Sequence, residues 1–365
     1  MTTRTTTTPA ATPTTPGARR SRLRWTTAAA AALALLAAPV GAEAAGHGGP
    51  PLTGELAMTG DVGDYVEGVV DDPVHDPTIF SDRGTHYVFS TGIADPDDPG
   101  GIFVRRSTGT LAGPWESVGA IPLPEWTRAY GVAHLWAPHV VERAGVFHLY
   151  YSASSFGTNR SAIGHATTRT PGDPGSWVDH GPVLTSEPGD DFNAIDPMVF
   201  RDGGTWFIAY GSFWSGIQLQ RLEGMDTPVG ERIRLASNAE VPPNAIENPQ
   251  LFQQGRWWYL TTAWDLCCRG ADSTYKTVVG RSTSPTGPFV DRDGTPLTEG
   301  GGEVLLERRG NQAGPGALDV VRERGRWYGV HHYYDTDTGG TIRMQVREVE
   351  FRDGWPFFSY GPGDR

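Results

Sequence analysis

Three carboxylates in this 365-residue chain share a setting. Asp76 precedes Pro77 in VHDPTIF, Asp196 precedes Pro197 in NAIDPMVF, and Glu247 stands one residue ahead of Asn248-Pro249 in AIENPQLF. A short apolar run follows each. That is an acid at the mouth of a β-strand, where the missing N–H of a proline costs little. A lone Asp-Pro is ordinarily a turn residue, but three at matching places in one chain suggest a common use. Brought into one cavity, they repel one another, and burial raises at least one pKa. One acid and one base then exist at the same pH, the pair that glycoside hydrolysis needs. A three-carboxylate metal site is the other chemical reading, and the trio lacks the Asp-x-Asp spacing of a calcium loop.

Something must carry these acids to one place. Five segments share a plan of opening residue, apolar strand, polar turn and aromatic-rich strand: DPTIFSDRGTHYVFSTG (76–92), APHVVERAGVFHLYYSAS (137–154), DPMVFRDGGTWFIAYGS (196–212), NPQLFQQGRWWYLTTAW (248–264) and LDVVRERGRWYGVHHYY (318–334). Each has a glycine seven or eight residues after its opening, the spacing of a tight hairpin. Third strands are expected at 101–108, 161–168, 275–283 and 342–351, and GPW (113–115) and GPF (287–289) can open outer strands. Antiparallel strands returning in five repeats predict an all-β fold, a five-bladed β-propeller with a central axial cavity. A β-sandwich would account for the strand count but not for the regular return of one hairpin. In a propeller the inner strands converge on the axis, so Asp76, Asp196 and Glu247 are expected to face one funnel.

Aromatic and neutral polar groups flank the acids. Trp136, Phe156, Phe213 and Trp214 lie in LWAPHV, SSFGTN and GSFWSG, where they can stack on sugar faces or fill the core. Asn193 and Ser212, with Ser152, Ser154, Ser155 and Asn159, offer uncharged hydrogen bonds suited to a polyol. Trp136, Phe156, Asn193, Ser212 and Trp214 are the candidate substrate-binding residues.

Residues 1–44 have the form of a secretory signal: RRSRLRW (19–25), the apolar AAAAALALLAAPV (28–40) and a small-residue cleavage site. The apolar run is too short to span a bilayer, and Arg19-Arg20 leave the export route open. A linker over 45–65 and the propeller over 66–365 complete the expected organisation. Cleavage after Ala44 removes five Arg and one Glu and takes the formal charge from −12 to −16. So acidic a secreted chain is a poor match for nucleic acid or an anionic membrane, and a neutral polymer suits a monomer of this kind. Cys267 and Cys268 are adjacent; they are either two thiols or a vicinal disulfide formed in an oxidising compartment.

At HDPTIF, LWAPHV, SSFGTNRSAIG, NAIDPMVF, GSFWSGI, CCRGADSTYK, EGGG (299–302) and GPG (314–316), the sequence resembles the endo-acting arabinanases of glycoside hydrolase family 43, from about residue 66 onward. The resemblance implies inverting hydrolysis of α-1,5-linked L-arabinofuranose in arabinan. It implies Asp76 as general base, Glu247 as general acid and Asp196 as the residue that tunes and orients that acid. It also implies His332 beside a mostly water-coordinated calcium ion (Ca2+) near the axis. Two positions depart from the family pattern: His139 stands where WAPD is usual, and ENP replaces EAP or EGP. Three other readings are an exo-acting arabinofuranosidase or β-xylosidase on the same propeller, an invertase-type propeller, and a sugar-binding propeller without catalysis. Ile195 before Asp196 and Asn248 after Glu247 count against the invertase type, which expects RDP and Glu-Cys.

Overall fold

The computed structural model describes residues 74–92, 100–111, 113–238 and 243–358. The expected signal, the linker and the first residues of the expected propeller lie outside them. Twenty strands form five four-stranded antiparallel sheets, each a meander of consecutive strands. The innermost strands are β1 (Thr78–Asp82), β5 (Trp136–Arg143), β9 (Met198–Asp202), β13 (Ile246–Gln254) and β17 (Gln312–Glu323). They touch in cyclic order, β1 against β5, then β9, β13, β17 and back to β1. This is the five-bladed β-propeller. No helix among the described residues is long and apolar enough to cross a membrane.

The five expected hairpins are the first two strands of the five blades. Arg83-Gly84, Ala144-Gly145 and Arg324-Gly325 place two successive residues at positive φ, the two-residue turn whose twist matches that of the flanking strands. Second and third strands are buried on both faces, as in β6 (Val146–Ala153) and β7 (Ser161–Thr168), because neighbouring blades cover them. Outer strands such as β12 (Thr227–Ala236) meet solvent. The apolar core is therefore a set of separate layers between blades. Phe89 and Ile102 meet Leu149 and Tyr151 between the first and second, and Ile79 and Val88 meet Val330, Met344 and Val346 between the first and fifth.

Two sequence expectations change. GPW does precede the outer strand Glu116–Ile121, but GPF does not open one. Val290 makes only isolated bridges to Arg281 and Pro296, and the outer strand of the fourth blade is Glu303–Leu306. The three acids also do not occupy one repeat position. The residue ahead of each conserved-plan strand has left-handed backbone in all five blades: Asp76 (φ 50), Ala137 (φ 41), Asp196 (φ 57), Asn248 (φ 52) and Ala317 (φ 52). Glu247 is therefore one step earlier, level with His75, Trp136, Ile195 and Gly316. The pairing register breaks just here, between Trp136 and His139, Glu247 and Gln250, and Gly316 and Asp319. A bulge of this kind re-aims the side chains beside it.

Candidate active site

The strand openings line a small axial cavity, with Asp76, Ala137, Asp196, Asn248 and Ala317 around the wall. Below them Asp319 ties three blades together. It accepts from Thr78 Oγ1 and Ile79 N–H, each at 2.8 Å, and from Gln250 Nε2. His139 also faces this cavity; its Nδ1 accepts the Val199 N–H at 3.2 Å, and burial lowers its pKa despite the opposing pull of Asp319. A neutral imidazole thus takes the place of the expected acid.

Asp76 is held as a carboxylate. Oδ2 accepts from Thr91 Oγ1 and from His75 Nδ1, each at 2.7 Å. The Asp76 N–H donates to His332 Nδ1 at 3.1 Å. Burial works to raise its pKa, but the charge and hydrogen bond of His75, with the Thr91 hydroxyl, outweigh it and hold it at about 2. Thr91 in turn accepts the Ala137 N–H at 2.9 Å, which links the first two blades beside the acid.

Asp196 and Glu247 go the other way. Burial, then the charges of Glu247 and Asp76, push Asp196 well above the usual range against the Asn248 N–H, which donates to Oδ2 at 3.1 Å. Burial likewise raises Glu247, although Ser212 Oγ (2.7 Å to Oε2) and Tyr275 OH (2.8 Å to Oε1) favour its charge. Two buried carboxyls that repel cannot both ionise cheaply, so the pair titrates as a unit. With two hydroxyl donors on Glu247 and one amide on Asp196, the retained proton is more comfortable on Asp196 in the free protein. Asp76 as a carboxylate and one proton shared by Asp196 and Glu247 therefore stand within electrostatic reach of one another.

The candidate substrate residues divide. Phe156 is 65% exposed and Trp214 40%, and the Trp136 and Phe156 rings lie 5.0 Å apart, so Phe156 and Trp214 present ring surface to solvent. Trp214 is presented by a turn with Phe213 and Trp214 both at positive φ and is held by Asn244 Nδ2 to its carbonyl at 2.7 Å. Ser212 is buried and its hydroxyl donates to Glu247 Oε2, so it supports the acid. Ser152 accepts the Asp196 N–H, Ser154 pairs with Ser161, and Asn159 holds the carbonyls of Asp190 and Phe192, so these too build the site's frame. Asn193 is buried with its Oδ1 free of protein partners.

The sequence profile of glycosyl hydrolases family 43 matches residues 65–356. The chain belongs to this family. It is a glycoside hydrolase. The family 43 chain is 36% identical over 302 residues to the extracellular endo-α-(1→5)-L-arabinanase 1 of Bacillus subtilis, covering 80% of this chain and 89% of that one. It is 34% identical to the extracellular exo-α-(1→5)-L-arabinofuranosidase of Cellvibrio japonicus, covering 78% and 85%. Among solved structures, the endo-arabinanase of Bacillus licheniformis superposes with a TM-score of 0.73 at 37% identity, covering 80% of this chain and all of that one.

Several residues of this family 43 site were invisible to spacing arguments. His75 is in view only as the neighbour of Asp76, while Thr91, Tyr275 and Tyr334 enter from other strands and loops. Tyr275, His332 and His75 form a stack, with centroids 5.9 Å and 4.0 Å apart. Gly316 makes the stack possible, since a Cβ there would overlap the Tyr275 ring. His75, Asp76 and His332 also form the one group of metal-capable donors within 4.8 Å among the described residues. His75 Nδ1 and Asp76 Oδ2 are already hydrogen-bonded to each other, and what remains is Asp76 Oδ1 and the buried, unpartnered His332 Nε2. Burial lowers the His332 pKa well below normal, so its ring is neutral. With Nδ1 accepting the Asp76 N–H, the proton of the neutral ring sits on Nε2, which can donate to a water in an ion's shell but does not itself ligate the ion. Such a site fits an oxygen-seeking ion that keeps most of its water. Finally, Cys267 and Cys268 are joined in a vicinal disulfide.

Proposed function

We propose that the protein is a secreted, monomeric endo-arabinanase that cleaves internal α-1,5-L-arabinofuranosyl bonds of arabinan with inversion. The observation that carries this reading is the setting of three acids from three blades: Asp76 bonded by His75 and Thr91, Asp196 by the Asn248 amide, and Glu247 by Ser212 and Tyr275. Asp76, ionised over the whole working range, takes a proton from a water that attacks the anomeric carbon. Glu247 gives a proton to the leaving oxygen on the opposite side. Asp196 shares that proton with Glu247 before the sugar arrives and keeps the pair from ionising fully. Trp136, Phe156 and Trp214 offer ring faces to successive sugars along an open rim, and Asn193 offers its free carbonyl oxygen. His332 would stand beside a calcium ion and hold it through its water, and the ion would supply a positive field favouring the ionised Asp76.

Two of the relatives named above carry α-(1→5)-L-arabinan activity in their names, one endo and one exo, and both are named extracellular. A reducing-sugar assay with linear arabinan, xylan and levan side by side tests the reading. Release from arabinan alone is expected, with a ladder of oligosaccharides early in the reaction. A single short product from the first minutes would replace the endo mode by the exo mode, and no release from arabinan would end the assignment.

A further inference from the structure

The loop between β14 (Trp257–Trp264) and β15 (Lys276–Ser282) reaches both sides of the site. Tyr275 at its end donates to Glu247. Near its start, the Cys268 N–H donates to Tyr334 OH at 2.8 Å. Tyr334 OH is also 2.8 Å from His75 Nε2, and His75 Nδ1 is 2.7 Å from Asp76 Oδ2.

The chain of bonds has a direction. An amide can only donate, so Tyr334 oxygen accepts from Cys268. A carboxylate can only accept, so His75 Nδ1 carries the proton toward Asp76. A ring with its single proton on Nδ1 has a bare Nε2, which accepts the Tyr334 O–H, and a charged ring donates from both nitrogens and keeps the same bond to Asp76. Burial raises the Tyr334 pKa, so that O–H is retained at any working pH. The amide at 268 thus helps select the histidine tautomer and rotamer that hold Asp76.

What points that amide at Tyr334 is backbone at φ 64, a conformation non-glycine residues rarely keep unaided. The small ring closed by the Cys267–Cys268 bond restrains it there. Cys268 is exposed, and its Sγ lies 4.0 Å from His75 Nε2. We propose that the vicinal disulfide and Tyr334 are positioning groups for Asp76, acting through His75, and that reduction of this disulfide slows the reaction reversibly. The inference rests on the hydrolase reading above for its kinetic readout.

The purified protein is compared before and after treatment with dithiothreitol, and with Cys267→Ser/Cys268→Ser and Tyr334→Phe. The dithiol closes to its own disulfide as the two cysteines take up two electrons and two protons. Thiol titration verifies that both are free, and melting temperature verifies the fold. On linear arabinan, kcat is expected to fall on the order of tenfold in the reduced and serine forms, with KM within about twofold, and to return on reoxidation. Ring ¹⁵N shifts of His75, recorded over a pH series, are expected to show Nδ1 keeping its proton throughout in the oxidised protein and sharing it with Nε2 in the reduced protein and in Tyr334→Phe. Unchanged kcat together with an unchanged His75 signature in fully reduced, folded protein would overturn the proposal. A His75 signature that shifts on reduction in a protein inactive on arabinan would uphold the positioning and overturn the substrate reading instead.

Discussion

Two carboxyls of the same chemistry, Asp76 and Asp196, hold opposite positions because of their neighbours. Asp76 faces a histidine, a threonine hydroxyl and a second imidazole; Asp196 faces another acid and one amide. The pH profile should show it. Activity needs Asp76 ionised and one proton on the pair, so the alkaline limb is the second ionisation of the pair, raised by the first charge. Asp196→Asn removes that first charge and is expected to move the alkaline limb of kcat/KM to lower pH, while kcat falls. An unmoved limb would mean that Asp196 does not share the proton. Stability should shift with the opposite sense. Wild-type Asp196 has a folded pKa above its unfolded one, so its favourable contribution is present at low pH and is lost as pH rises through the raised value. Asp196→Asn should therefore melt higher than wild type at pH 8, and the gain should vanish below about pH 4. The acids themselves were legible because each has a proline one or two residues on and then an apolar run. Their partners were not, since His75, Thr91, Tyr275 and Tyr334 meet only through the fold, and nothing local distinguishes Ser212 from a sugar ligand.

The elements that aim these groups are hairpins with a left-handed opening and a bulge. The repeat spacing revealed the hairpins, since glycine turns recur at one distance. It did not reveal the bulge, whose consequence is that Asn248 takes the place of Asp76 and Asp196 while Glu247 moves one step up the strand. GPF misled for a related reason: its chain turns back to bridge Arg281 and leaves the sheet edge to a later strand. Gly316 occupies the Glu247 level in the fifth blade, opposite His332 in the pairing of β17 with β18 (Arg326–Asp335). Its missing side chain admits Tyr275. Gly316→Ala should displace that ring and with it the hydroxyl on Glu247. Tyr275→Phe removes the hydroxyl alone. Both are expected to lower kcat, and Tyr275→Phe by roughly tenfold, the size of one lost charge-assisted bond. Steady-state kinetics with a folding control checks this, and full activity in Tyr275→Phe would show that Glu247 does not depend on the contact.

At the scale of the whole molecule, every blade is made of consecutive strands, so no shared sheet joins the first blade to the last among the described residues. Packing of Ile79 and Val88 against Val330 and Met344, and the bonds of Asp319 to Thr78 and Ile79, hold that seam. Asp319→Ala leaves buried donors of two blades unpaired and is expected to cost about 3 kcal/mol, read from the midpoint of a denaturant titration. A loss below about 1 kcal/mol would transfer the closure to the apolar layer alone. The closed ring is what fixes the distance and facing of acids drawn from three blades, and the account of the reaction depends on that facing. If water is activated by Asp76 on one side while Glu247 protonates the leaving oxygen on the other, each cleavage inverts the anomeric carbon. The most direct test is the ¹H NMR spectrum of linear arabinan during the first minutes of hydrolysis. New reducing ends should appear first as the β-anomer and only later equilibrate, whereas initial formation of the α-anomer would contradict the account.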